Sequence, residues 1–166
     1  MTKTIIAVLA ALMIGTSNAE VVMPEPVGTE IQINHEDAVL LAKLVWGEAR
    51  GVESKAEQAA VIWCALNRVD AEGYACGRSV EHVVTFPNQF TGYRASNPVD
   101  AELYELAVDV LTRWQREKAG ESDVGRVLPF EYQWFAGDGT RNHFRDAYRN
   151  GTRWDWSLPD PYEVEE

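Results

Sequence analysis

Glu48 is the residue of this chain best placed to do acid chemistry. It lies in the run WGEARGVESKAEQAAVIWCALNR, residues 46–68, near the end of one apolar-striped segment and just before another. Ala38, Leu41, Leu44, Val45 and Glu48 recur at spacings of three and four, which puts the carboxyl on the inward-packing face of a helix. No lysine or arginine shares that stripe. Burial and the negative end of the helix dipole both favour the neutral acid there. The pattern therefore predicts a raised pKa and a carboxyl able to give a proton to a leaving group. The plain alternative is a solvated glutamate in a last helical turn, because perturbed acids are enriched at functional sites without being confined to them.

Two helices must hold this group. Asn34 is a fitting N-cap for the first, with Asp37 in the capping-box position and Gly51 as its C-terminal stop. Ser54 and Glu57 form a second capping box, and Ala59, Ile62, Trp63, Leu66 and Val69 continue the apolar period behind it. The turn between them is short enough to set the helices at a defined angle and to back Glu48 with a firm neighbour.

The ordered segments LAKLVWGEARG (41–51), EQAAVIWCALNRV (57–69) and PNQFTGY (87–93), with WFAGDGTRNHF (134–144) more loosely, resemble the SleB-type cell wall hydrolase family. Members of that family cleave the glycan strands of peptidoglycan. The resemblance implies a lysozyme-like fold with a substrate groove and one essential glutamate, which falls on Glu48. It also implies that Gln89 and Tyr93 bind substrate, and that the stretch carrying Tyr132, Trp134, Asn142 and His143 forms a C-terminal groove wall. Phe90 is a groove aromatic or a core residue. The chain departs from the family pattern in placing Val52 after the ARG triplet, where members often carry an acid, and in delaying that acid to Glu53.

The rest of the chain reads as an α+β, mainly helical, single domain. Residues 1–19 hold Lys3, an apolar run and small residues at a cleavage-like position, the pattern of a signal peptide or, if uncleaved, of a membrane anchor. Residues 20–33 read as an extended leader, 34–160 as the cell wall hydrolase domain and 161–166 as an acidic tail. An exported protein, periplasmic or extracellular, is expected, with membrane contact only if the first segment stays attached. Ser79 to Val84 reads as a short helical turn. A further long helix is expected from Asn97, with Pro98 first and Leu103, Ala107, Val110, Leu111 and Trp114 facing the core. Residues 127–135 read as one or two short strands, and 136–140 as a turn.

Charge narrows the partners. With 26 acidic against 15 basic side chains the net charge is −11, which disfavours nucleic acid. A peptidoglycan strand, itself often anionic, must then be gripped by local shape, stacking and hydrogen bonds. A monomer without cofactor is expected. The three histidines follow no metal-ligand spacing. Export favours a disulfide between Cys64 and Cys76. Asp138 is a possible second carboxylate, although an aspartate between two glycines usually belongs to its turn. With one clear acid, the expected reaction is that of a lytic transglycosylase; a water-using muramidase and a non-catalytic glycan-binding protein are the alternatives.

Overall fold

A computed structural model describes residues 31–163. The expected signal segment, most of the leader and the end of the acidic tail lie outside the described residues. The chain folds as α1 (His35–Ala49), α2 (Lys55–Asp70), α3 (Val80–Thr85), α4 (Ala101–Lys118), β1 (Trp134–Gly137) and β2 (Asn142–Arg145). It is α+β and mainly helical. Among the described residues no helix is long and apolar enough to cross a membrane.

The first helix packs against α2, α3 and α4, because its stripe of Ala38, Leu41, Leu44 and Val45 is fully buried. Each such leucine contributes about 1.5–3 kcal/mol of burial. Asn34 caps the helix by accepting from Glu36 N at 2.9 Å rather than from Asp37. Its C-cap is Arg50, in right-handed helical conformation. Gly51 has no positive φ, so the chain leaves the helix through a Val52 N to Ala49 O turn of 3.0 Å and not through a left-handed glycine.

Ser54 caps α2 through Glu57 N at 3.2 Å. Only half of the expected capping box forms, because the Glu57 carboxylate is used across the fold on the backbone N–H of Asn142. Most of α2 is buried, polar residues included: Glu57, Asn67 and Arg68 are each 5% exposed or less. Most of their partners lie in the C-terminal part of the chain. Asn67 Nδ2 donates to Pro129 O (2.8 Å) and Tyr132 O (3.0 Å), Arg68 Nε to Gln133 O (2.6 Å), and Arg126 Nη1 to Asn67 Oδ1 (2.9 Å).

Those bonds explain a departure from expectation. Residues 127–133 form no strand, because carbonyls that would enter a ladder are taken by side chains of α2. Strand structure begins at Trp134, where β1 pairs antiparallel with β2 in the register Trp134↔Arg145 to Gly137↔Asn142. The fourth helix also starts later than expected. Asp100, not Asn97, is its N-cap, accepting from Glu102 N and Leu103 N. Trp114 packs in the core and donates Nε1 to Asp70 Oδ2 at 2.6 Å.

The expected disulfide is absent: Cys64 and Cys76 are both free thiols. Cys64 is enclosed in α2, and burial pushes its thiol up to about 12. The nearby positive charge of Arg68 pulls the other way without cancelling the effect of burial.

Candidate functional site

The last turn of α1 meets the loop after α3 backbone to backbone. A Cβ on Gly47 would lie 2.1 Å from Gly92 O, and one on Gly92 would lie 2.2 Å from Gly47 O. Only two glycines permit this approach. It brings the Gly92 N–H to Glu48, whose Oε1 accepts from it at 2.6 Å.

The loop is tied down on both sides of that bond. Asn97 Nδ2 donates to Lys43 O and Gly92 O, each at 3.0 Å. Lys43 Nζ returns a bond to Ala95 O at 2.7 Å. Arg94 closes its own turn on Thr91 O and Tyr93 O at 2.7 and 2.6 Å. The result is a carboxyl whose position is set by main chain rather than by flexible side chains.

Burial raises the pKa of Glu48 above the usual glutamate value. The Gly92 N–H and the more distant charge of Arg94 pull it back in part. No basic residue occupies the last turn of α1. Arg50, just beyond it, turns away to the Trp46 carbonyl at 3.1 Å and stacks near the Trp46 ring. The outcome is a partly buried acid, free of an ion pair among the described residues, that keeps its proton to higher pH than a solvated glutamate.

Glu48 opens into a cleft of about 360 Å³. The end of α1 and its turn form one wall; Gly137 and residues 139–142 of the hairpin form the other. Asn142 is nine-tenths buried beneath it, with its N–H on Glu57 and its Nδ2 3.4 Å from Glu48 O. A second pocket, of about 440 Å³, is lined by Gln89 and Trp134 among others. Two segments connect the pockets. Residues 89–92 run from Gln89 in one to Gly92 at Glu48, and β1 runs from Trp134 in one to Gly137 in the other, a span of about 10 Å at strand rise.

The residues singled out from sequence thus separate into groups. Glu48 and Asn142 meet in the first cleft; Gln89 and Trp134 meet in the second pocket. Phe90 and Tyr132 belong to the core, 6% and 8% exposed. Phe90 lies against Phe135 and the Arg68 guanidinium, Tyr132 against Trp154, so neither offers a ring face to a groove. Tyr93 is half-buried against the core, where burial and nearby Glu81 raise its pKa.

His143 sits beside the first cleft in an exposed polar cluster. Arg153 donates to its Nδ1, which leaves Nε2 as the protonated nitrogen facing Asp138 Oδ2 at 2.6 Å. Asp138 also accepts from Thr140 N and Arg141 N at 2.9 Å through its other oxygen. Those two N–H groups and His143 hold its carboxyl well below the usual aspartate range. Both oxygens are engaged within the hairpin, one by the turn and one by His143 on β2. Among the described residues no group of three or more His, Cys, Asp or Glu side chains is arranged to hold a metal ion.

Sequence reasoning missed Gly47, Gly92, Arg94 and Asn97 as site residues. A signal was present for the first two, since each is a glycine inside a quoted motif, one directly preceding Glu48. No protein-family model, curated protein or solved structure matches this chain.

Proposed function

We propose that this chain cleaves the glycan strand of peptidoglycan between N-acetylmuramic acid and N-acetylglucosamine, with Glu48 as general acid and then base, on a lysozyme-like fold of the SleB type. The observation that carries the reading is the single carboxyl at the head of a cleft, its pKa raised by burial and its position set by the Gly92 N–H. A raised pKa makes the carboxyl a better proton donor to a glycosidic oxygen near neutral pH than a solvated glutamate would be.

The reaction is that of a lytic transglycosylase. Glu48 gives its proton to the bridging oxygen as the bond to the muramic acid C1 breaks and positive character grows on that ring. The same residue, now a carboxylate, takes the proton of the muramic acid 6-hydroxyl as that oxygen closes on C1. A 1,6-anhydro ring forms, Glu48 regains its proton and no water is consumed. Asp138 favours this over hydrolysis, because an inverting hydrolase needs a second carboxylate to activate water and both oxygens of Asp138 are engaged within the hairpin. Export to the wall compartment belongs to the same proposal.

Mass spectrometry of purified peptidoglycan digested with the full chain tests it. Fragments ending in 1,6-anhydromuramic acid, lighter by one water than hydrolysed ends, are expected; they should vanish with Glu48→Gln and persist with Asp138→Asn. Reducing ends lost in Asp138→Asn would establish a muramidase instead. Retained glycan binding without any fragment would point to a binding protein.

A further inference from the structure

Among the described residues, the pocket at the Trp134 end of β1 holds positive charge without a counter-ion. Arg68 is 3% exposed, yet its guanidinium lies between the rings of Phe90 and Trp134, 4.8 and 4.6 Å from their centroids. Its hydrogen bonds go to neutral acceptors, Gln133 O at 2.6 Å and Gln89 Oε1 at 3.3 Å. Arg145 lines the same pocket and gives only a long bond, 3.5 Å, to Gly151 O. Among the described residues neither arginine forms an ion pair, and no acid lines the pocket.

That is unusual in a chain carrying 26 acidic side chains. A buried charge is costly unless something compensates it, and rings and carbonyls do so only partly. The pocket also leaves aromatic surface in water. Tyr148, 68% exposed, leans on the Trp134 ring at 5.1 Å, and Tyr74, 77% exposed, stands on the same rim. Aromatic faces beside side-chain amides suit a pyranose, whose axial hydrogens form apolar patches.

We propose that this pocket is a distal subsite for an acidic sugar, the ring lying on Trp134 and Tyr148 and its carboxylate facing Arg145 and the edge of Arg68. In a glycan strand the fitting residue is an N-acetylmuramic acid that carries no peptide stem, whose lactyl carboxylate is free, so the inference rests on the function proposed above. It also accounts for capture of an anionic polymer by a chain of net charge −11. The overall field repels the polymer, while two guanidiniums that form no ion pair among the described residues reverse the sign locally at this pocket.

A monosaccharide offers no glycosidic bond to cleave, so binding can be read apart from turnover. The full chain, labelled with ¹⁵N, is titrated with N-acetylmuramic acid, with the same sugar carrying a lactyl carboxamide, and with acetate. The Trp134 indole and Arg145 signals are followed. Expected is a Kd for the acid about tenfold below that of the amide, the value of one added charge-assisted contact. The gap should close in Arg145→Gln, and both sugars should weaken in Tyr148→Ala; both positions are exposed, so folding is not at stake. Equal affinity for acid and amide, or no response at Trp134, would overturn the subsite. Acetate binding as tightly as the sugar acid would also overturn it, since the ring would then contribute nothing. If the acid binds as expected while peptidoglycan is left intact, the pocket stands and the cleavage reading falls. Cleavage with no acid–amide gap gives the reverse.

Discussion

Gly92→Ala tests whether main-chain approach holds Glu48. The added Cβ would lie 2.2 Å from Gly47 O and 2.5 Å from Gly47 C, against 3.4 Å or more for ordinary contact, so the loop must withdraw by roughly 1 Å. Gly92 does not have a positive φ, hence alanine brings no backbone penalty of its own and the effect isolates the contact. Overpacking against backbone costs about 1–3 kcal/mol, and a weakened bond from Gly92 N to Glu48 adds about 1 kcal/mol. Together these amount to a fall in Tm of roughly 6–16 °C for a domain of this size. The opening is narrower than the roughly 2.8 Å that a water needs, so Glu48 stays desolvated while losing the N–H that lowers its pKa. Calorimetry and carboxyl NMR titration check the two effects. Glu48 should titrate above 4.5 in the parent and higher still in the variant. An unchanged Tm with an unchanged titration would refute the close approach and the positioning argument built on it.

Other outcomes follow from the same geometry. Because the folded pKa of Glu48 is raised by burial, the native state binds more protons than the unfolded chain over the window above 4.5, and stability falls as pH rises through it. Glu48→Gln should therefore match the parent in Tm below that window and exceed it near pH 7; parallel Tm-against-pH curves would remove the raised pKa. For Asp138 the sign is opposite. Its folded pKa is lowered, so it stabilises the fold above 3.8 and the contribution disappears as pH falls. Asp138→Ala should lower Tm at pH 7 and converge with the parent in acid, and a constant difference across pH would contradict the turn contacts. Ellman's reagent at neutral pH should find Cys76 alone in the native protein and both thiols after denaturation, since Cys64 is enclosed and its thiol is held near 12. No reactive thiol in denaturant without reductant would mean a disulfide after all.

Where the sequence was legible, the determinants were local. The caps Asn34 and Ser54 and the apolar stripes of α1 and α2 act within one or two turns, and both helices stand where that chemistry puts them. The start of α4 departs from the local pattern because Asn97 and Asp100 are both good caps. Asn97 is drawn off by Lys43 O and Gly92 O, and the distance of 54 residues to Lys43 leaves no trace in a local pattern. Of the strand expected over 127–135, the part before Trp134 does not form for the same reason, its carbonyls being claimed by Asn67 and Arg68 more than 60 residues away.

For the site, the sequence by itself determined that Glu48 ends an inward-facing stripe without a basic neighbour, and burial follows from that spacing. It also determined which residues carry amides and rings. Only the tertiary structure decided which of them share a pocket. Phe90 and Tyr132 went to the core, Gln89 and Trp134 to a pocket with Arg68 and Arg145, and Asn142 to the wall below Glu48. The physical reason is that helix formation is governed by contacts three and four residues apart, whereas the cleft is made by backbone edges and single polar bonds between distant segments. At the Gly47–Gly92 contact the two glycines mark where backbones can approach, but which backbones meet is decided by the packing of distant segments.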